Sequence, residues 1–342
     1  VPMAVAQPPR MSAPEILPKR EFRILVVDDD EVSRLLTQEM LGLKRYQVES
    51  APNAAAALVS IAREAPDLIL LDVVMPGRSG IDLCRELKES PVTRLIPIIL
   101  ITGLSERDAR LEGIEAGADD FLNKPVDPQE LFARVKSLLK LKQFTDELEN
   151  AETVLFSLAL GVEARDPYTE GHCWRLAEYA SDLGRAMSLS EEDIVALRRG
   201  GVLHDIGKIA VPDAILRKPG ALDATETDIL HRHPVTGEQI CRPLRTLGRV
   251  LPIIRHHHEH WNGRGYPDKL AGEAIPLLAR VLQVADAYDA LTTHRPYKPA
   301  YPHIEARRVL ENEGQQGWWD NRVLRVFLDM MEHRQRRHKR AG

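Results

Sequence analysis

The 342-residue chain contains no apolar run near the roughly 18 residues that a membrane-spanning helix needs, and residues 1–20 lack the apolar core of a secretory signal. Cysteine is scarce. Cys84, Cys173 and Cys241 stand far apart with no C-x-x-C spacing, which excludes a disulfide framework and predicts a reduced, cytoplasmic protein. An excess of positive charge is also missing. A formal net charge of -5 and a pI of about 6.2 leave no electrostatic footprint for a nucleic-acid polymer. Histidine is absent from the first half altogether: none of the twelve precedes His172, and seven fall between His204 and His260, so the two halves differ in chemistry. The five prolines before Arg20 predict a disordered leader over residues 1–21. What is present is ordinary for a soluble globular protein, with 44% hydrophobic and 28% charged residues in a length that suits two domains.

The first half carries short continuous apolar runs of the kind found in strands buried on both faces. Arg23-Ile24-Leu25-Val26-Val27 ends in Asp28-Asp29-Asp30, and Leu68-Ile69-Leu70-Leu71 ends in Asp72. Ile98-Ile99-Leu100-Ile101 ends in Thr102, and Phe121-Leu122 ends at Asn123-Lys124-Pro125. Helical segments lie between them, at 32–41, 53–63, 80–88 and 105–116. The alternation predicts a doubly wound parallel sheet with its site at the carboxyl ends of the strands. Asp28, Asp29, Asp72, Thr102 and Lys124 would meet there, and three carboxylates so close call for a hard cation such as Mg²⁺.

With Asp72 set in Leu-Asp-Val-Val-Met-Pro-Gly, residues 22–142 resemble the flavodoxin-like receiver domain of two-component response regulators. The resemblance implies Asp72 as phosphoacceptor, with Asp28, Asp29 and Asp72 around the receiver magnesium. It implies Thr102 and Phe121 as the switch pair and Lys124 as the phosphate contact, with a cis bond before Pro125. A sensor histidine kinase is then the implied partner.

Pro128 suits the first turn of a helix, and no further proline or glycine intervenes before Gly161. Leu141, Phe144, Leu148, Ala151, Leu155, Leu158 and Val162 alternate spacings of three and four, an a/d seam of about three heptads. This predicts a coiled-coil-like signalling helix over 143–162 that pairs two protomers as a homodimer. Beyond it, helical periodicity dominates 174–187, 194–203, 275–291 and 323–331, so residues 163–332 read as all-α, followed by a basic tail at 333–342.

Metal-ligating residue types gather in this half. His204 and Asp205 are adjacent in Gly-Val-Leu-His-Asp-Ile-Gly-Lys, and on a helix their side chains would diverge by about 100°. Asp286 is an acid in an otherwise apolar helix, costly to bury without a cation. His257 and His258 precede a glycine-rich loop closed by Gly265-Tyr266-Pro267. His172, the His204-Asp205 pair and Asp286 resemble the ligand set of the HD phosphohydrolase superfamily. The His-His and Gly-Tyr-Pro segments narrow the resemblance to the HD-GYP family of cyclic di-GMP phosphodiesterases.

The resemblance implies two divalent transition metals bridged by Asp205. His172, His204 and Asp286 would serve one ion, and His233, His257 and His258 the other. Nitrogen and oxygen ligation suits Fe or Mn and tolerates Zn, Co or Ni. Tyr168 stands where some members place a glutamate for a third ion, although Glu170 is near. Lys208 and Asp289 join Asp205 as catalytic residues, and Lys208, Tyr266, Arg295 and Lys298 as contacts to cyclic di-GMP. The implied activity is phosphorylation-regulated hydrolysis to linear pGpG, GMP or both. A second reading is a signalling platform that docks partners such as diguanylate cyclases; the intact ligand set favours the enzyme. A nucleotide phosphohydrolase of the wider superfamily is disfavoured by Gly265-Tyr266-Pro267.

Overall fold

The structure, a computed structural model, describes residues 21–103, 107–165, 171–294 and 300–341. All but one residue of the expected leader therefore lies outside the described residues. The chain divides into two units between Glu147 and Leu148.

In the first unit five parallel strands alternate with helices: β1 (Arg23–Val27), α1 (Glu31–Gly42), β2 (Gln47–Ala51), α2 (Ala54–Arg63), β3 (Leu68–Asp72), α3 (Gly80–Glu89), β4 (Ile98–Thr102), α4 (Arg107–Glu115) and β5 (Asp120–Asn123). The sheet order is β2-β1-β3-β4-β5, so the strand order reverses between β1 and β3 and opens a crevice at their carboxyl ends. β2 has no counterpart among the apolar runs. Its sequence, Gln-Val-Glu-Ser-Ala, occupies a sheet edge where only Ala51 is buried, so it carries no run of buried side chains.

The period of two along the central strands builds two cores. Leu25, Val27, Ile69, Leu71, Ile98 and Leu100 pack with Ala57 and Ile61 of α2 and Leu83 and Leu87 of α3. Ile24, Val26, Leu68, Leu70, Ile99 and Ile101 face the other way, onto Leu41 of α1. Asp30, Asn53 and Ser79 cap α1, α2 and α3 by accepting from the N–H of Ser33, Ala56 and Asp82, so each helix starts just after its strand-end turn.

Helix α5 (Pro128–Glu163) starts at Pro128, with Asp127 accepting from the Glu130 N–H. Leu131, Val135 and Leu139 complete the α1-side core of the first unit. Leu155, Phe156 and Ala159 pack into the core of the second unit, and Val162 is buried. The heptad seam therefore splits: Leu141, Phe144, Leu148 and Leu158 are exposed, whereas Leu155 packs against the second core and Val162 is buried.

The second unit is helical: α6 (His172–Ala186), α7 (Glu191–Leu203), α8 (Asp213–Leu216), α9 (Ala224–Leu230), α10 (His233–Cys241), α11 (Leu251–His256), α12 (Leu277–Thr292), α13 (His303–Gln315) and α14 (Asn321–Ala341). α14 runs on through the segment read as a basic tail, and Arg334 there pairs with Asp182 and lies 5.3 Å from the Tyr179 ring centre. α6 and α7 cross closely at Gly201, where a Cβ would lie 2.6 Å from the backbone of Ala177. No helix among the described residues is long and apolar enough to cross a membrane.

Candidate metal centre

His204 and Asp205 do not sit within one helix. His204 is the C-cap of α7, and Asp205 precedes a short 3-10 turn over Ile206–Ala210. The reason lies at Gly207, where a Cβ would come within 1.9 Å of the His233 carbonyl oxygen and 2.5 Å of the Gly237 nitrogen. The chain thus crosses α10 backbone to backbone, which carries Asp205 to His233.

Two groups of side chains result. His172, His204 and Asp286 bring ligand atoms within 4.8 Å of one another, and Asp205, His233, His257 and His258 do the same. The two oxygens of Asp205 face different groups. Oδ2 is 3.3 Å from His204 Nε2, while Oδ1 is 3.1 Å from His233 Nε2 and 3.8 Å from His257 Nε2. Oδ1 is buried yet makes no hydrogen bond, a costly state for a carboxylate oxygen unless a cation meets it. His233 Nε2 and His257 Nε2 face each other at 3.3 Å, and His172 Nε2 lies 3.4 Å from Asp286 Oδ1.

The imidazoles are fixed by their other nitrogens. Nδ1–H of His204 donates to the Gly201 carbonyl at 3.0 Å, that of His233 to Leu230 at 2.7 Å and that of His257 to Ile254 at 2.8 Å. Those carbonyls belong to the last turns of α7, α9 and α11, where a helix leaves acceptors without an intrahelical partner. His172 Nδ1 instead meets Asp289 Oδ2 at 2.7 Å. In each case the Nε2 lone pair is left for a metal.

The electrostatics agree. Burial, reinforced by neighbouring imidazoles, holds His257 and His258 well below the usual imidazole range, so both are neutral ligands at neutral pH. Burial opposes the charge on Asp205, but its neighbours, the Lys208 ammonium foremost, outweigh it and keep the carboxylate ionised. Lys208 Nζ sits 2.6 Å from Asp205 Oδ2. The donor set of imidazoles and carboxylates, the unmatched Oδ1 and the converging nitrogens all fit divalent cations.

Tyr266 lies against the second group, its ring stacked on His231 with centres 3.8 Å apart and on His258 at 4.8 Å. Glu259 ties its loop down. Fully buried, it accepts from the N–H of Asp268 at 2.7 Å and of Leu270 at 3.0 Å, and Gly265 packs where a Cβ would strike the Glu259 backbone. Glu259 and Arg175, which pairs with Asp289, escape a reading by residue type because exposed Glu and Arg are common. Tyr168, Glu170, Arg295 and Lys298 lie outside the described residues.

In the first unit Asp28, Asp29 and Asp72 also bring oxygens within 4.8 Å. Lys124 Nζ is 3.0 Å from Asp28 and 2.8 Å from Asp72, and the Lys124–Pro125 bond is cis. Burial raises the Asp72 carboxyl above the usual range against the opposing pull of Lys124. Thr102 is buried at the adjacent strand end, and Phe121 is already turned into the core.

The family description "Response regulator receiver domain" matches residues 24–136, and "HD domain" matches residues 156–323. Cyclic di-GMP phosphodiesterase response regulator RpfG of Xanthomonas campestris pv. campestris is 36% identical over 305 residues, covering 82% of this chain and 80% of that protein. The chain belongs to the family of cyclic di-GMP phosphodiesterase response regulators. A cyclic di-GMP phosphodiesterase of Thermotoga maritima is 32% identical over 319 residues, 84% of this chain and 85% of that one. The 3'3'-cGAMP-specific phosphodiesterase 2 of Vibrio cholerae is 39% identical over 167 residues, 48% of this chain and 32% of that protein. The two paired groups of imidazoles and carboxylates thus lie in an HD domain, and the acidic crevice lies in a receiver.

Proposed function

We propose that this response regulator hydrolyses cyclic di-GMP at the paired His–Asp groups of its HD domain and that phosphorylation of Asp72 modulates the rate. The observation that carries the reading is the placement of the two Asp205 oxygens, each toward a different set of imidazoles, one of them buried without a hydrogen bond. Asp205 would bridge two ions, with His172, His204 and Asp286 on one and His233, His257 and His258 on the other. Fe or Mn suits these donors. Bound there, divalent metals supply a hydroxide near neutral pH and neutralise charge on phosphoryl oxygens.

The chain's own residues supply the rest. Lys208, tethered to Asp205, keeps a positive charge beside the cluster, where charge developing on a phosphodiester needs it. Tyr266 has its ring engaged by His231 and His258, so its hydroxyl is the group it offers to a dinucleotide. Asp289 orients His172. Arg295 and Lys298 are proposed as phosphate contacts from their sequence positions. The products are linear pGpG, GMP or both.

In the receiver, Asp28, Asp29 and Asp72 would hold Mg²⁺, with a histidine kinase as phosphodonor. Phe121 is already inward, so the change on phosphorylation falls on Thr102 and Lys124. The exposed Leu141, Phe144 and Leu148 supply an apolar face for a homodimer.

The test is turnover of cyclic di-GMP and, in parallel, of 3'3'-cGAMP by the purified protein loaded with manganese or ferrous iron. We expect hydrolysis of cyclic di-GMP that chelation abolishes and metal restores. Absence of turnover by metal-loaded protein would overturn the reading, and faster turnover of 3'3'-cGAMP would reassign the substrate.

A further inference from the structure

Among the four imidazoles with a defined Nδ1 partner at the centre, His172 is held differently. His204, His233 and His257 donate to carbonyls three residues back, at helix ends that present spare acceptors. His172 is the first residue of α6, where the spare backbone groups are N–H donors, so its own turn offers no acceptor. α12 supplies one from outside, as the Asp289 carboxylate 2.7 Å from Nδ1.

That carboxylate is 2% exposed and needs compensation, since a buried charge stripped of its partner is strongly destabilising. Arg175 provides it from one turn along the same helix as His172. Its Nε donates to Asp289 Oδ1 at 2.7 Å and its Nη2 to Oδ2 at 3.0 Å, a fork that fixes the plane of the carboxylate. Nη2 also lies 3.1 Å from Thr293 Oγ1, at the C-cap of α12. The guanidinium thereby locks the carboxylate, the carboxylate locks the ring, and the ring aims Nε2 at Asp286.

We infer that Arg175 is a positioning residue of the metal centre: through Asp289 it fixes His172 and strengthens ion binding at the His172–His204–Asp286 position, leaving the other position untouched. The inference rests on reading His172 as a metal ligand. A glutamine at 175 removes the charge, and a lysine keeps it as a point donor that cannot fork. In either variant Asp289 is no longer held in the plane that receives Nδ1–H.

The test uses the full-length protein, stripped by chelation and titrated with Mn²⁺ alone, with bound and free ion followed by electron paramagnetic resonance. We expect two ions in the wild type. Arg175→Gln should weaken one of them by about 10- to 100-fold and leave the other as it was, with Arg175→Lys showing a smaller loss at the same position. Asp289→Asn should weaken the same ion, and adding Arg175→Gln to it should cost little more, because both act through one contact. Wild-type affinity for both ions in either Arg175 variant, or effects of Arg175→Gln and Asp289→Asn that simply add, would overturn the inference. Arg175→Lys carries the test alone if Arg175→Gln does not fold. His172→Ala separates the two readings. If it still binds two ions as the wild type does, the ligand assignment fails and the inference with it; if it loses one ion while the Arg175 variants lose none, only the inference fails.

Discussion

At the scale of single residues, the two oxygens of Asp205 have different surroundings. One oxygen is paired with the Lys208 ammonium, and the other is buried without a hydrogen bond. Asp205→Ala is therefore expected to abolish hydrolysis and to lower metal content, measured by elemental analysis beside turnover; full activity would refute the bridging scheme. Lys208→Ala should keep its metal and lose rate, since the ammonium contributes charge without ligating. Asp289 makes a second, pH-dependent prediction. Burial opposes its charge, yet His172 and Arg175 bring its pKa from 3.8 down to about 2. A depressed carboxylate contributes stability that is fully present above its ordinary pKa and is lost as pH falls through the folded value. At roughly 1.4 kcal/mol per pH unit, Asp289→Asn should cost the metal-free protein on the order of 2 kcal/mol at pH 7. Urea unfolding should show the gap narrowing only below about pH 4.

At the scale of elements, the centre depends on how closely α10 meets the turn after α7. Gly207 permits a contact that a Cβ at 1.9 Å from the His233 oxygen would forbid. Gly207→Ala should thus push α10 away, lower stability by about 1 to 3 kcal/mol and weaken the ion at His233 more than the ion at His172. Thermal unfolding and manganese titration of that variant would check both parts; unchanged occupancy at His233 would mean that the crossing does not set the site. α6 has a comparable dependence. Its N-cap, Gly171, has no side chain to offer, and Glu163 at the end of α5 accepts from the Cys173 N–H at 2.9 Å instead. The last turn of α5 thereby touches the helix that carries His172.

At the scale of the whole molecule, one helix belongs to both domains. Leu131, Val135 and Leu139 of α5 sit in the receiver core, and Leu155, Phe156 and Ala159 pack into that of the HD domain. If phosphorylation of Asp72 modulates the HD domain as proposed, α5 is the element that would carry the effect, and coupling of this kind is typically worth about 1 to 3 kcal/mol. Beryllofluoride should accordingly change turnover by roughly 5- to 150-fold in the wild type and leave Asp72→Ala unaffected. Sedimentation of the same samples would report whether pairing through Leu141, Phe144 and Leu148 changes with it. A bound mimic that alters neither quantity would mean that the receiver does not govern the HD domain through α5.

The sequence alone determined the alternation of buried runs and helices in the first half, because strands covered on both faces must be continuously apolar, and it placed Asp28, Asp72, Thr102 and Lys124 at their ends. It also gathered metal-ligating residue types in the second half, where Asp286 among apolar neighbours is costly to bury without a cation, and the resemblance carried by His172, His204-Asp205, His257-His258 and Gly265-Tyr266-Pro267 implied the ligand set. Tertiary structure decided the rest. β2 is hidden from a reading of apolar runs because an edge strand buries little. The break between His204 and Asp205 follows from a backbone crossing with a residue almost thirty positions away, which no local period reports. The support of His172 by Asp289 and Arg175 depends on the packing of α6 against α12, across more than a hundred residues of chain. Periodicity records which face of an element is buried; which side chains meet across two buried faces is set by how closely the backbones can approach.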